Sequence, residues 1–308
     1  MINKHNLSKI GIGAWGFGGY AEKDPENNDT KQIDALAYQF KKGMNLTEIN
    51  FWNSQGQSAQ LIKQALGKSG VKRDEVLLIQ VIYDYRLETI KDVEKEFQLC
   101  LEVFETDYID SIEFPLTAFD KYGFNNLVEL VQKYISKGKA RYTSVTNFDL
   151  PNLKKYHGIF KDKLFSHELC YSFDVRDAEE LGILDYGFEN NIINVPYQPL
   201  RRNRTATRNW PLLVELSKKY NKTQNQIILN WMTSRNIHPL VKSENIKHIN
   251  ENLDSLKFEM ESGDIKRLTD FRVPNYKLQE IDWLMKGDSG NFIHSLPNTF
   301  DEIYPKNK

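Results

Sequence analysis

The stretch GMNLTEINFWNSQGQSAQLIKQAL, Gly43 to Leu66, reads as a strand, a loop and an amphipathic helix. Catalytic side chains gather where such a strand ends at the mouth of a barrel. This strand end offers Glu48, Asn50, Trp52 and Asn53, and no tyrosine. A carboxylate there can stabilise a cation, whereas asparagine and tryptophan hold no proton at a useful pKa. The stretch VKSENIKHINENL carries a different chemistry. Lys242 and Ser243 follow an apolar strand end and precede an amphipathic helix. An ammonium, a hydroxyl and free N–H groups at a helix start make a phosphate site; a solvated basic helix start is the alternative. After Leu200 comes RRNRTATR, with four arginines in eight residues. That loop is either a phosphate clamp or a solvated basic turn.

Short apolar runs alternate with longer amphipathic ones, and these must position the candidates. Strands are expected at Asn45–Ile49, Val76–Ile82, Tyr108–Glu113, Lys139–Val145, Phe165–Leu169, Ile192–Pro196 and His238–Val241. An eighth is expected near Lys9–Gly13 or hidden around residues 205–235. Between them, Ile33, Leu36, Ala37 and Phe40 share one helical stripe that Gly43 ends. Val93, Phe97, Cys100, Leu101 and Phe104 share another, and Gly138 closes a third helix as a C′ residue. Pro151 sits in a first turn, and Ile227, Ile228 and Trp231 face inward from a later helix. Repeated strand-then-helix units indicate a parallel sheet. The chain of 308 residues suits one (β/α)8 TIM barrel better than an open doubly wound sheet. Residues 1–308 form a single domain in this reading. Its tail, about 276–308, mixes aromatics with Gly, Pro and Asn and is expected to lie over the body, near the mouth.

Gly11, Gly13 and Gly16 spell G-x-G-x-x-G. In a dinucleotide-binding βαβ unit that pattern opens a helix. Here FGGYAEKDPENND follows and cannot start one, so a glycine-rich strand and turn at the first βα loop is the better reading.

Hydrophobic residues make up 40% and charged residues 27%, so a large core is feasible. A net charge of −1 argues against general affinity for nucleic acid or an anionic membrane. No apolar run is long enough for a transmembrane helix, and the first residues lack the apolar core of a signal peptide. Cys100 and Cys170 make no zinc site and are expected to be buried thiols in a reducing cytoplasm. No metal is expected. A small-molecule substrate is, with a protein partner or a homo-oligomer left open.

The chain resembles the aldo-keto reductases over roughly residues 8 to 275. The resemblance rests on KIGIGAWGFGG, the Gly43–Leu66 segment, DYIDSIEFP, GKARYTSVTNF, INVPYQPL, NQIILNW and VKSENIKHINENL, which stand in the family's order. It implies a cytosolic (β/α)8 barrel that binds NADP(H). By this resemblance Tyr197 stacks on nicotinamide, Thr146 and Asn147 match the Ser-Asn pair on its carboxamide, and Glu168 replaces a glutamine there. Pro199, Leu200 and Arg201 begin the loop that folds over the pyrophosphate. Lys242 and Ser243 would hold the 2′-phosphate. His248 replaces an arginine and cannot offer its fork. Glu251 and Asn252 match a Glu-Asn pair, with Asn252 at adenine. A core aromatic is the alternative for Tyr197.

The family's catalytic set of Asp, Tyr, Lys and His is absent. Glu48 falls at the aspartate, Asn53 at the tyrosine, Val81 at the lysine and Pro115 at the histidine; a slip in the loop would put Trp52 or Asn50 at the tyrosine's place. Loss of a proton donor costs about 10²–10⁴ in rate, so an efficient carbonyl reductase is not expected. One reading is hydride transfer to an imine, an iminium or an activated alkene. Glu48 and Glu113 would then stabilise a cation, with Tyr83 and Tyr85 as replacement proton donors. Glu113 could instead simply answer Arg141 or Lys139. The second reading is a catalytically inactive descendant, a sensor or partner subunit that binds NADP(H) or another ligand. Trp15, Phe51, Trp52, Tyr85 and Trp283 are candidates to line a pocket in either case.

Overall fold

The apolar runs become strands because both faces of each are covered, by the barrel interior on one side and by helices on the other. The computed structural model describes residues 4–274. Trp283 and the 276–308 tail lie outside the described residues. The strands are β1 (Gly11–Ile12), β2 (Leu46–Ile49), β3 (Leu77–Val81), β4 (Ile109–Pro115), β5 (Ala140–Thr146), β6 (Leu164–Cys170), β7 (Ile193–Tyr197) and β8 (Leu240–Val241). They pair in parallel in the order β7-β6-β5-β4-β3-β2-β1-β8. His238 N donates to Asn194 O at 3.0 Å and brings the two ends of that order together. The result is the expected (β/α)8 barrel. Its eighth strand is Gly11–Ile12; residues 205–235 instead carry the helices Pro211–Tyr220 and Gln224–Ser234.

Helix ends follow local chemistry. Thr89 and Asp92 form a capping box on Ile90–Val103, and Thr223 and Gln226 form one on Gln224–Ser234. Asp149 accepts from Asn152 N at 2.8 Å and caps Leu150–Phe160, with Pro151 in its first turn. Gly138, at φ +67°, follows the end of Phe124–Ser136 as the expected C′ residue. Both cysteines are free and buried. Among the described residues, no helix is long and apolar enough to cross a membrane.

The interior is apolar at one end and polar at the other. Leu46, Leu77, Ile79, Val81, Phe165, Ile193, Val195 and Leu240 form one buried cluster. Beside them Ser111, Ser144 and Ser166 join β4, β5 and β6 through hydroxyl bonds of 2.7 Å each. Side chains alternate along a strand, so two residues further on Glu113, Thr146 and Glu168 face the same way, one layer nearer the mouth. On β4 the buried Asp110 takes Arg73 at 2.8 Å and Arg141 at 2.7 Å, and accepts from Leu78 N at 3.1 Å. Arg141 therefore answers Asp110, so this alternative for Glu113 does not hold.

Candidate active site

The carboxyl ends of the strands surround a cavity of about 950 Å³. The β1 turn reaches it with Trp15 and with Gly16, whose φ of +88° lies in the left-handed region. The next helix begins only at Asp29, so G-x-G-x-x-G opens no helix here. Glu48 at the end of β2, Trp52 and Asn53 just beyond it, and Tyr83 and Tyr85 after β3 line the same cavity. Pro115 lines it too. Val81 is fully buried among the interior apolar residues and presents no polar group. Phe51 packs against the outer core and is absent from the cavity wall.

Three glutamates converge here from β2, β4 and β6. Glu48, Glu113 and Glu168 are all at most 6% exposed. Asn50 Nδ2 donates to Glu48 Oε1 at 2.8 Å and Ala14 N to Oε2 at 3.3 Å. Asn50 Oδ1 in turn accepts from Asn53 N at 2.8 Å and fixes the loop. Burial pushes the Glu48 carboxyl up, and these two donors oppose it. Thr146 Oγ1 donates to Glu113 Oε1. Among the described residues no N–H or hydroxyl donates to Glu113 Oε2 or Glu168 Oε2. The Glu113 and Glu168 carboxyls lie close to each other. Burial raises both; Glu113 is pushed up to about 8, and Glu168 is raised further by the Glu48 and Glu113 charges. Tyr83 is also raised well above its ordinary value, first by burial and then by Glu48 and Glu168. That is the wrong direction for a group that must protonate an alkoxide.

The opposite wall carries the other candidates. Thr146, Asn147, Glu168 and Tyr197 line it together. Asn147 has a φ of +54°, which turns its side chain to accept from Tyr197 Oη at 3.1 Å. Tyr197 is half-buried: one part packs near Cys170 and Val175, and the rest faces the cavity. Pro199, Leu200 and Arg201 continue the wall with Arg202 and Arg204. Gln198, Arg201, Arg202 and Asn203 all have positive φ, a costly conformation for residues with a Cβ. At the far side lie Lys242, Ser243, His248, Glu251 and Asn252. Ser243 Oγ accepts from Asn245 N at 3.1 Å, and Asn245 caps the helix Ile246–Asp254 through Lys247 N at 2.9 Å. Glu251 accepts from Thr223 Oγ1 at 2.6 Å. Glu244, which the sequence reading did not single out, stands 3.6 Å from Lys242 Nζ and also takes Lys31 and the Gln32 amide. Tyr20 and Thr117 were missed as well, since nothing in their spacing marks them as wall residues. Among the described residues, no group of three His, Cys, Asp or Glu side chains is arranged to hold a metal ion.

A (β/α)8 barrel with its candidate site at the carboxyl ends of the strands, and a phosphate-type helix start on one wall, has the architecture of a barrel enzyme. The model of the aldo/keto reductase family matches residues 9–272. Human aldo-keto reductase family 1 member C4 is 23% identical over 300 residues, covering 88% of this chain and 91% of that protein. The methylglyoxal reductase YeaE of Escherichia coli K12 is 22% identical over 268 residues, covering 85% and 90%. A thermostable aldo-keto reductase, Tm1743, solved with the inhibitor epalrestat, superposes with a TM-score of 0.74 at 23% identity, covering 85% of this chain and 94% of its own. A Klebsiella pneumoniae aldo/keto reductase solved with NADP and acetate gives 0.71 at 18% identity, covering 85% and 90%. The chain belongs to the aldo/keto reductase family, a family of oxidoreductases.

Proposed function

We propose that the protein is an NADP(H)-dependent oxidoreductase whose acceptor is an imine or iminium, with an activated alkene second, rather than a simple carbonyl. The observation that carries this reading is the exchange of groups at one place. Asn53, Val81 and Pro115 stand at the matched acid–base positions, while Glu48, Glu113 and Glu168 cluster beside them with raised pKa values. Asn53, Val81 and Pro115 could not quench the alkoxide that a neutral ketone would leave there. An iminium is different: hydride forms the new C–H bond, the C=N π pair returns to nitrogen, and the product is a neutral amine. The acceptor gains two electrons, the reductant loses two, and no proton is required. A cation bound beside these carboxyls would lower their pKa values and be attracted by the charge they then carry.

The residues present fit the coenzyme. Among the described residues no N–H or hydroxyl donates to the buried Glu168 Oε2, and a carboxamide N–H₂ would satisfy it. Tyr197 would pack one face of the nicotinamide, with Thr146 and Asn147 at its edge. Lys242, Ser243 and the first turn of Ile246–Asp254 would hold phosphate, and the arginines after β7 would lie along the pyrophosphate. When bound, NADPH would supply a hydride at C4 of its nicotinamide. The Klebsiella relative solved with NADP supports the assignment of this coenzyme.

NADPH fluorescence titration, followed by NADPH consumption assays with cyclic imines, enones and aldehydes, tests the proposal. Saturable binding with turnover of imines, and little with aldehydes, is expected. Rapid aldehyde reduction would overturn it. Binding without turnover on any acceptor would favour the sensor or partner-subunit reading, which the raised pKa of Tyr83 also suits.

A further inference from the structure

Four aromatic rings at the cavity mouth form one wall. Trp15 stacks on Trp52 with centroids 5.4 Å apart and planes 9° apart. Tyr83 stacks on Tyr85 at 5.3 Å and 11°. Trp52 meets Tyr85 edge to face at 5.1 Å. These rings come from the loops after β1, β2 and β3, and all four line the cavity. Glu48, at the end of β2, lines the same end, and Glu168 reaches in from β6. The arginine and lysine lining residues follow later strands: Arg201, Arg202 and Arg204 follow β7, and Lys242 follows β8. The two sets meet at Tyr20, which Arg202 faces at 5.3 Å and which packs on Trp15 with centroids 5.5 Å apart. One set suits phosphates, and the other combines π faces with buried carboxylates. Trp52 already draws one cation, since Arg86 sits 6.0 Å from its ring while Glu22 holds that guanidinium at 2.6 Å.

We infer that the space between the wall of Trp15, Trp52, Tyr83 and Tyr85 and the carboxyls of Glu48 and Glu168 is a recognition site for a compact organic cation, a substituted ammonium or iminium nitrogen. Ring quadrupoles attract such a cation without demanding hydrogen-bond donors. The carboxylates supply the countercharge that a buried cation needs. A neutral ligand of the same shape gains only the apolar contact. The inference rests on the reduction reading for its substrate, but it concerns recognition and stands or falls on binding alone.

The test uses the full chain and two probes of one shape. Benzyltrimethylammonium carries the charge and accepts no hydride; neopentylbenzene is its neutral isostere. Calorimetry should show the cation binding at least about tenfold more tightly than the isostere. Runs in two buffers of different ionisation heat should show proton release with the cation only, because a cation lowers the pKa values of the carboxyls around it. Glu48→Gln should lower cation affinity by about fivefold or more, and Trp52→Leu by a similar factor, without weakening the isostere equally. If Glu48→Gln does not fold by circular dichroism, the wild-type probe comparison and Trp52→Leu decide. Equal affinities for the two probes, or no cation binding at millimolar concentration, would overturn the inference. So would NADP⁺ binding about tenfold more tightly than NADPH with no cation binding, since the glutamates would then serve the oxidised nicotinamide ring. NADPH titration of the same sample keeps the two readings apart. Cation selectivity without NADPH affinity overturns the reduction reading alone, and the reverse overturns the recognition site alone.

Discussion

At the scale of single residues, the site is governed by how a buried carboxyl keeps or loses its proton. Glu113 holds its proton in the folded chain up to about pH 8, whereas in the unfolded chain it ionises at the ordinary carboxylate value. Between those pH values the native state binds a proton that the unfolded state does not, so this group's contribution to stability is lost as pH rises. Urea unfolding of Glu113→Gln and the wild type at pH 5 and pH 8 should show the wild type losing more stability across that interval. Identical losses would mean that Glu113 ionises in the folded chain as it does in the unfolded one. Lys242 offers a second prediction at this scale. Lys242→Ala should weaken NADPH by about 1.5–3 kcal/mol, the range for a hydrogen bond to a charged group, and NADH by much less. Equal weakening of both coenzymes in a fluorescence titration would remove Lys242 from the 2′-phosphate.

At the scale of elements, strands set the identity of the neighbours and caps set where the helices begin. The loop between β5 and the helix Leu150–Phe160 carries Asn147 into the cavity, and Asp149 ends that loop by capping the helix. Asp149→Ala should cost about 1 kcal/mol of stability by urea titration, within the usual range for a lost N-cap. An unchanged midpoint would show that the cap contributes nothing. Most of this level was legible beforehand. Hydrophobic period and turn residues place seven strands to within one or two residues, and the stripes Leu36–Ala37–Phe40 and Val93–Phe97–Cys100 are buried as their spacing requires. The two-residue strand β1 was harder, because Gly11 and Ile12 offer no alternation to read. Its place is set by backbone bonds to Pro239 and Val241 across the barrel.

At the scale of the whole molecule, closing the sheet places charges that are far apart in sequence beside one another. Asp110 binds β3 and β5 to β4 through Arg73, Arg141 and Leu78 N. Asp110→Asn leaves two partly buried guanidinium groups without their anion. It should cost about 3 kcal/mol, at the lower end of the range for breaking a buried pair because both arginines keep some access to water. Thermal unfolding at neutral pH checks this, and a shift within error would mean that the arginines find other partners. Barrel closure acts on the cavity in the same way. The twelve positions proposed from the resemblance to hold coenzyme come from four separate stretches of sequence, and all line one cavity.

The amino-acid sequence by itself determined the repeated strand–helix units, the helix caps, and the Lys242–Ser243 pair just before a helix. Each of these is written in residues within a few positions of one another, where backbone sterics and hydrophobic period act directly. Only the tertiary structure decided that Glu168 faces Glu113, that Arg141 is taken by Asp110, and that Trp15, Trp52, Tyr83 and Tyr85 make one wall while Phe51 turns to the outer core. Those relations depend on the stagger between neighbouring strands. A shift of one residue would turn each side chain to the other face of the sheet, and no local pattern records which shift the closed barrel adopts.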